Sequence, residues 1–316
     1  MRIVVVGAGA IGTLFGALLQ RAGNDVTLVG RPAHAAAIER DGVTVEGRTT
    51  GVIRVHATSA LPPGFTVDVA LFTVKTYDLD EAARVFGRAI QTPVPVAALE
   101  NGLGVEERIV EALTAVGWTD PAPWIVRGIN SVPATLLGPG KVRHAGEGEL
   151  LLADFGAGRH AAVLARVFHE AGISARVSED RDREVWRKAL VNAAINPVTA
   201  DHGIPNGRLL LDPYRDQALQ LLDEALSVAQ AEGVRFTDTD AQRELWRVVR
   251  ATADNRSSML QDLDRGRRTE VDSISGAILA LGQRRGLTLP ATARIVARIH
   301  AKEPPSEGES SARAAT

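Results

Sequence analysis

Residues 2–31, RIVVVGAGAIGTLFGALLQRAGNDVTLVGR, constrain the fold of this chain more than any other segment. A run of β-branched residues is followed by glycines, then by an apolar stretch, and then by a second β-branched run. β-Branched residues favour strands, whereas glycine permits a tight turn. The order predicts a strand over 2–6, a helix over about 11–21 that stops at Gly23, and a strand over 25–29, which together form one βαβ unit.

The glycines of this unit are spaced G-x-G-x-x-G and lie between the first strand and the helix. In that position Gly7 suits a tight turn, Gly9 a close approach of the backbone to a pyrophosphate, and Gly12 close packing of helix against strand. Ala10 and Ile11 lie at the amino end of the helix, where backbone amides point at the anion. The pattern therefore predicts a Rossmann-type dinucleotide-binding domain.

The residue that follows the second strand indicates which dinucleotide is bound. An NAD-binding domain carries an acid about 20 residues after the glycines, where it contacts the ribose 2′-hydroxyl. This chain has Arg31 there, and a guanidinium suits a 2′-phosphate, so the position favours NADP(H). The alternative interpretation of Arg31 is an ordinary solvated loop residue. Lys75 and Asn101 end two further apolar runs, 67–75 and 94–102, and ligands of parallel sheets bind at such strand ends.

Helical periodicity replaces the strand pattern in the second half of the chain. Helices are predicted at about 183–195, 213–232, 240–254 and 269–285. The fold class is thus α/β, with an NADP(H)-binding domain over 1–178 and an all-helical domain over 179–302. Residues 303–316 have no apolar pattern and are predicted to be a disordered tail.

Two polar features interrupt these apolar helices. Lys188, Asn192 and Asn196 are spaced by four residues, which places them on one stripe of an otherwise apolar helix. Glu270 heads an apolar helical face, either as a first-turn acid capped by Thr269 or as a ligand contact. A polar stripe in such a helix meets either solvent or a ligand.

Composition excludes several classes of function. The chain has 316 residues, a net charge of −2 and no block of basic residues, which argues against nucleic-acid binding. It has no cysteine, so a disulfide framework and a thiolate nucleophile are excluded, and a reducing cytoplasm is expected. Glycines interrupt the apolar run 3–19, which argues against a signal peptide or membrane span. We expect no metal site.

Five motifs in order carry a resemblance to a known family: GAGAIG, FTVKTYD, ENGLG, EVWRKALVNAAINPVTA with PNG, and SSMLQDLDRGRRTEVD. Over residues 1 to about 302 the chain resembles the ketopantoate reductase (2-dehydropantoate 2-reductase) family. Members combine an N-terminal Rossmann domain with a helical C-terminal domain. They reduce ketopantoate with NADPH on the route to pantothenate, so the resemblance implies that reaction.

The resemblance also implies roles for individual residues. Lys188 matches the general acid and Glu270 an essential carboxylate, while Asn101 matches a residue near both nicotinamide and substrate. The remaining matches are substrate contacts at Asn192, Asn196 and Ser258, and cofactor phosphate contacts at Arg31 and Lys75. Lysine suits this chemistry because hydride addition to a ketone leaves negative charge on oxygen. We expect the stripe to face a cleft between the domains.

Other functions remain open at this point. A reductase of a different 2-oxo acid would keep every motif, and a β-hydroxyacid dehydrogenase also places a lysine four residues before an asparagine on a helix. A non-catalytic NADP(H)-sensing protein is the alternative of another class, although the Lys188 and Glu270 pair argues against it. The expected partner is a small 2-oxo acid, and a homodimer is one candidate for the oligomeric state.

Overall fold

The computed structural model describes residues 1–90 and 92–305, and in it the chain divides into two compact units. The first unit comprises Met1–Glu100 and Gly104–Arg181. The second comprises Asn101–Leu103 and the chain from Asp182 onward. The division after Arg181 lies three residues beyond the predicted domain boundary at 178. Of the predicted tail, 306–316 lie outside the described residues.

The first unit is built from strands and helices in alternation. Its strands are β1 (Arg2–Val6), β2 (Asp25–Val29), β3 (Val43–Gly47), β4 (Gly51–Ile53), β5 (His56–Thr58), β6 (Val69–Phe72), β7 (Val96–Ala98), β8 (Ile125–Asn130), β9 (Ala134–Gly138), β10 (Lys141–His144), β11 (Leu150–Asp154) and β12 (Ala175–Val177). Its helices are α1 (Ala10–Arg21), α2 (Pro32–Asp41), α3 (Leu79–Ala89), α4 (Val105–Thr114) and α5 (Ala161–Glu170).

The strands form two sheets. The larger has the order β12-β11-β8-β7-β6-β1-β2-β5, and the smaller has the order β4-β3-β10-β9. In the larger sheet β11 runs antiparallel to β8, and the other neighbouring strands are parallel. The chain order reverses at β1, which lies between β6 and β2, so the carboxyl ends of these strands form the crevice where such sheets bind ligands.

Both faces of the larger sheet are covered, as expected for parallel strands that read as continuous apolar runs. On β1, Ile3 and Val5 join a core that includes α1 and α5 through Leu14 and Phe168. Val4 and Val6 point to the opposite face, where the core contains Phe72, Phe86, Ile109 and Leu113. The predicted Rossmann-type α/β domain is confirmed.

Every regular element in the described part of the second unit is a helix. It contains α6 (Arg181–His202), α7 (Tyr214–Ala231), α8 (Asp238–Ala251), α9 (Ser258–Asp264), α10 (Ala277–Arg284) and α11 (Pro290–His300). These helices enclose one apolar cluster that includes Leu190, Leu222, Leu245 and Ile278. The prediction of an all-helical second part is therefore confirmed.

The predicted end of the first helix of the second unit is wrong. The helix predicted to end at Ile195 is α6, which continues through Pro197 to His202. An internal proline costs roughly 3 kcal/mol because it removes a hydrogen bond and crowds the preceding turn. The residues that follow, Val198 and Ala200, are 0% and 4% exposed, and their burial in the helical core offsets that cost.

The helix predicted over 269–285 begins later, at Asp272, and opens with a π-helical turn. A π-helical turn, Asp272–Gly276, precedes α10, and the Gly276 amide donates to the Val271 carbonyl five residues earlier at 2.9 Å. Glu270 lies before this turn, and its carbonyl accepts the first helical hydrogen bonds from Ser273 and Ile274, both at 3.2 Å. A local pattern does not distinguish a π-turn from an α-turn.

No helix among residues 1–90 and 92–305 is long and apolar enough to cross a membrane. In the same part of the chain, no group of three or more acidic or histidine side chains is arranged to hold a metal ion.

A buried histidine joins three elements of the first unit. His34 on α2 is 7% exposed, and its Nδ1 accepts from the Gly140 amide at 3.2 Å, in the turn between β9 and β10. Its Nε2 is 3.0 Å from the Thr13 hydroxyl on α1. Because Nδ1 is an acceptor, the proton of the neutral ring lies on Nε2. Burial lowers the pKa of this imidazole below its ordinary 6.5 and keeps it neutral.

The substitution His34→Gln should reduce the acid sensitivity of the fold. The folded-state pKa of His34 is lowered, so its contribution to stability is complete above pH 6.5 and is lost as the pH falls towards the folded-state pKa. This group adds at most about 1.4 kcal/mol per pH unit to the slope of unfolding free energy against pH. Urea unfolding from pH 7 downward should therefore give a shallower slope in the variant. Burial also lowers the pKa of His144, but that residue contributes equally to both proteins. Parallel curves would therefore contradict the assignment of the acid sensitivity to His34.

Candidate active site

Gly7 in the turn after β1 and Gly12 in the first part of α1 allow main-chain atoms to approach closely. Gly7 has φ of 103°, and a Cβ added there would lie 2.6 Å from the Val74 nitrogen. A Cβ on Gly12 would lie 2.4 Å from the Gly7 carbonyl oxygen. The Thr73 hydroxyl donates to that same oxygen at 2.7 Å. The helix and the residue after β6 thus both contact the carbonyl group of Gly7 in the turn.

Gly9 differs because packing within the chain does not require it. It is exposed, and the nearest atoms to an added Cβ would be 4.0 Å away. The amino end of α1, where Ala10 and Ile11 are half-buried, has neither a side-chain cap nor an acid in its first turn. Its amides and the positive end of the helix dipole therefore suit an anionic ligand that approaches at Gly9. These features fit the pyrophosphate of a dinucleotide.

The two predicted phosphate contacts follow strands on either side of β1. Arg31 comes after β2 and is exposed, and its carbonyl accepts from the His34 and Ala35 amides, both at 3.0 Å, at the start of α2. Lys75 comes after β6, where it is half-buried and precedes the 3₁₀ turn Thr76–Asp78. Because β2 and β6 both pair with β1, these cations and the glycine turn share one edge of the sheet.

The polar stripe of the second unit lies on α6. Lys188 and Asn192 are half-buried, and Asn196 is 6% exposed. The same helix buries Trp186 and Leu190 in the apolar cluster. The stripe is therefore not an ordinary solvated face of the helix.

Glu270 belongs to the same unit and is 7% exposed. One oxygen of its carboxylate, Oε2, accepts a hydrogen bond from the Asn101 Nδ2 at 3.4 Å. The preceding residue, Thr269, is anchored by the Glu303 carboxylate, which accepts from its amide at 2.7 Å and from its hydroxyl at 2.6 Å. Two of the predicted site residues, Asn101 and Glu270, are thereby in contact although 169 positions separate them in sequence.

The adjacent serines at the start of α9 have different environments. Ser258 is the first helical residue and is exposed, as a ligand contact requires. Ser257 is 5% exposed and caps the helix, since its Oγ accepts from the Leu260 amide at 3.2 Å. The same oxygen accepts from the Thr199 hydroxyl on α6 at 2.7 Å. This bond connects the helix of the polar stripe to the segment that presents Ser258.

Sequence reasoning did not single out Asn206 as a site residue. It is 6% exposed, and its Nδ2 donates to the Thr252 hydroxyl at 2.9 Å. Its Oδ1 is buried with no hydrogen-bond partner among the described residues. An unsatisfied buried acceptor costs about 1–3 kcal/mol, which favours a donor from a ligand. The PNG motif contains Asn206, but an asparagine before a glycine is also typical of a turn, so the motif alone does not indicate a site residue.

A cavity of about 230 Å³ lies elsewhere in the second unit, between α6 and α8. It is lined by Arg187 and Arg247, which both donate to Glu244 at 2.7–2.9 Å. Hydrogen bonding and charge from Arg247 first, then Arg187, lower the pKa of the Glu244 carboxyl. The cavity contains none of the predicted site residues, and we interpret it as a groove over a structural ion-pair network.

The fold and these groups of side chains define a class: a dinucleotide-binding enzyme with a Rossmann-type first unit and a helical second unit. Comparison with known proteins gives the family. Residues 3–157 match ketopantoate reductase PanE/ApbA, and residues 180–303 match the ketopantoate reductase PanE/ApbA C-terminal family. The chain belongs to the ketopantoate reductase family, and it is an oxidoreductase.

Relatives match it over nearly their whole length. The 2-dehydropantoate 2-reductase of Pyrococcus horikoshii is 35% identical over 306 residues, which cover 96% of this chain and 98% of the relative. That of Archaeoglobus fulgidus is 37% identical over 290 residues, covering 90% and 92%.

Solved structures show the same architecture. A PanE/ApbA family ketopantoate reductase from Ralstonia eutropha is similar with a TM-score of 0.85 at 31% identity, covering 96% of this chain and 98% of that one. D-Mandelate dehydrogenase, in a ternary structure with NADH and anilino(oxo)acetate, is similar with a TM-score of 0.89 at 27% identity and the same coverage. The family is thus one of nicotinamide-dinucleotide-binding reductases.

The substitution Gly9→Ala should separate cofactor binding from folding. The added methyl group would lie 4.0 Å from the Gly7 and Thr73 carbonyl oxygens, an ordinary van der Waals distance, so the melting temperature should stay close to that of the wild type. A methyl group placed against the pyrophosphate should weaken binding by about 1–3 kcal/mol, the usual cost of overpacking. Titration of NADPH fluorescence measures the affinity. Unchanged affinity in a folded Gly9→Ala protein would place the cofactor elsewhere.

Proposed function

We propose that this chain catalyses the NADPH-dependent reduction of 2-dehydropantoate to pantoate, a step of pantothenate biosynthesis. The family assignment and the names of its full-length relatives support the reaction. The observation that carries the proposal is the hydrogen bond between Asn101 and the buried Glu270 carboxylate, in the unit that also bears Lys188. These are three residue types suited to hold and protonate a hydroxylated 2-oxo acid.

The first unit would hold the cofactor. Gly7, Gly9 and Gly12 form the cradle for the pyrophosphate, together with the amides of Ala10 and Ile11. Arg31 would contact the 2′-phosphate and Lys75 a cofactor phosphate. Asn101, which belongs to the second unit, is proposed to contact the region of the nicotinamide. When bound, the reduced nicotinamide supplies the hydride that reaches the substrate carbonyl carbon.

Lys188 would act as the general acid. Reduction of the C2 carbonyl places negative charge on its oxygen, and the ammonium group of Lys188 both stabilises that charge and donates the proton that completes the hydroxyl group. Its half-buried position on α6 strengthens this interaction, because a partly dehydrated site screens charge less than water does.

The remaining polar groups would orient the substrate. Asn192, Asn196 and Asn206 supply amide groups that bind hydroxyl and carbonyl oxygens without added charge. Ser258, exposed at the start of α9, would donate to the carboxylate. Glu270 would accept from a substrate hydroxyl and help to keep Lys188 protonated.

A second candidate function is reduction of a different 2-oxo acid. D-Mandelate dehydrogenase shares this architecture, and its structure contains NADH with anilino(oxo)acetate. A substrate panel that compares ketopantoate with phenylglyoxylate, each with NADPH and with NADH, separates the two candidates by the absorbance of the reduced cofactor. A kcat/KM at least tenfold higher for ketopantoate supports the first candidate, and the reverse order supports the second.

The cofactor preference should depend on Arg31. Arg31→Ala should weaken NADPH binding by about 1.5–3 kcal/mol, the range for hydrogen bonds to charged groups, and leave NADH binding nearly unchanged. Arg40→Ala removes an exposed arginine from α2, the helix that Arg31 immediately precedes, and is the matched control. Equal losses for NADPH and NADH would contradict the assignment.

The chemical step should depend on the Lys188 ammonium. Lys188→Gln keeps a hydrogen-bond donor but removes the charge and the transferable proton, so the rate should fall roughly 10²–10⁴-fold, the usual contribution of a positioned acid. Single-turnover oxidation of NADPH with saturating ketopantoate measures this step, and NADPH affinity should remain close to that of the wild type. Lys141→Gln, at an exposed position of β10, is the control. A near-normal rate in folded Lys188→Gln protein would remove the catalytic role.

A further inference from the structure

Ser273 contacts the main chain on both sides of the Asn101–Glu270 hydrogen bond. Its hydroxyl donates to the Glu270 carbonyl at 3.0 Å, and its amide donates to the same oxygen at 3.2 Å. Its own carbonyl accepts from the Leu103 amide at 3.1 Å, two residues beyond Asn101. One residue therefore connects the backbone that carries the carboxylate with the backbone that carries the amide.

Gly102 makes the contact with Leu103 sterically feasible. It has φ of 102°, and a Cβ added there would lie 2.3 Å from the Ser273 carbonyl oxygen. Any side chain at this position would push residues 101–103 away from Ser273 and lengthen the 3.4 Å bond between Asn101 and Glu270. The glycine is thus required by contact with Ser273 as well as by its backbone conformation.

The backbone around Glu270 is held from both directions. Before it, Thr269 donates to the Glu303 carboxylate from its amide and its hydroxyl, at 2.7 and 2.6 Å. After it, Ser273 lies within the π-helical turn Asp272–Gly276, a geometry that occurs mostly as single turns and frequently at functional sites. Two hydrogen bonds from Ser273 thus hold the carbonyl of the residue whose carboxylate meets Asn101.

We propose that Ser273 is a positioning residue: it sets the Glu270 carboxylate and the Asn101 amide at the spacing that a 2-oxo acid substrate requires. The inference rests on the proposed function, because it assigns both partners to substrate binding. Ser273 acts through its hydroxyl, amide and carbonyl groups on the two backbone segments. Loss of its hydroxyl therefore changes catalysis through Glu270.

The hydroxyl contribution is tested with Ser273→Ala, and Ser273→Thr restores the donor. Ser227→Ala is the matched control, because the Ser227 hydroxyl donates to the carbonyl three residues earlier, of Glu224, at 2.6 Å in α7. Steady-state kinetics with NADPH and ketopantoate should show a kcat/KM about 5–10-fold lower for Ser273→Ala, as expected for one hydrogen bond that fixes geometry. Ser273→Thr and Ser227→Ala should stay within about twofold of wild type, and the NADPH dissociation constant should be unchanged in all three.

A double-mutant cycle distinguishes positioning from general stabilisation. In a Glu270→Ala background, Ser273→Ala should lower kcat/KM by less than about twofold, since the group through which it acts is absent. The same fold loss in both backgrounds would overturn the proposal, and so would a Ser273→Ala protein within about twofold of wild type.

A glycine pair provides a second measurement if Ser273→Ala does not fold. Gly102→Ala and Gly104→Ala both strain a left-handed glycine, with φ of 102° and 71°, but nothing lies within 4 Å of a Cβ on Gly104. Gly102→Ala should lower kcat/KM at least about tenfold more than Gly104→Ala, and equal effects would overturn the proposal. A wild-type protein that reduces no 2-oxo acid would overturn the proposed function and this inference together, whereas an active wild type with unaffected variants overturns this inference alone.

Discussion

The close approach of main-chain atoms at the end of β1 is the constraint on which the first unit depends. The Gly7 carbonyl lies where a Cβ on Gly12 would be 2.4 Å away, and Thr73 donates to the same oxygen at 2.7 Å. A larger residue at Gly7 or Gly12 would overlap these main-chain atoms. Glycine therefore allows α1 to begin at the carboxyl edge of the sheet, with its amides available to an anion. The parallel pairing of β1 with β2 and β6 then brings Arg31 and Lys75 to that edge. The arrangement for dinucleotide binding thus follows from the order of the strands and from the lack of side chains at Gly7 and Gly12.

The second unit meets the opposite requirement, since it keeps polar groups within a helical core. A buried polar group without a partner costs about 1–3 kcal/mol, so each such group needs a hydrogen bond or a ligand. Thr199 and Ser257 satisfy one another at 2.7 Å and join α6 to α9. The Asn206 side chain makes a hydrogen bond only through its Nδ2, and its buried Oδ1 has no partner among the described residues. A hydrogen bond from a bound substrate would remove the free-energy cost of that unpaired acceptor. If Asn206 contacts the substrate as proposed, some stability of the empty protein is exchanged for a preorganised contact.

The shared architecture of ketopantoate reductases and D-mandelate dehydrogenase indicates how functional differences arise in this family. TM-scores of 0.85 and 0.89 to the two proteins mean that the backbone frame does not distinguish them. On the proposed function, cofactor preference would depend on a few side chains at the end of β2, where this chain has Arg31. Substrate preference would depend in the same way on side chains around the polar stripe of α6. Function belongs to these sites, and the fold supplies their rigid support.

The sequence by itself determined the features that depend on local chemistry. Glycine spacing and β-branched runs specified the βαβ unit, helical periodicity specified the helical second unit, and spacing by four residues placed Lys188, Asn192 and Asn196 on one stripe. Only the tertiary structure decided which of two adjacent serines is buried, that α6 continues through Pro197, and that a π-turn follows Glu270. It also placed Asn101 with Glu270. These outcomes depend on burial and hydrogen bonds between segments distant in sequence, and no local pattern of residues encodes such contacts.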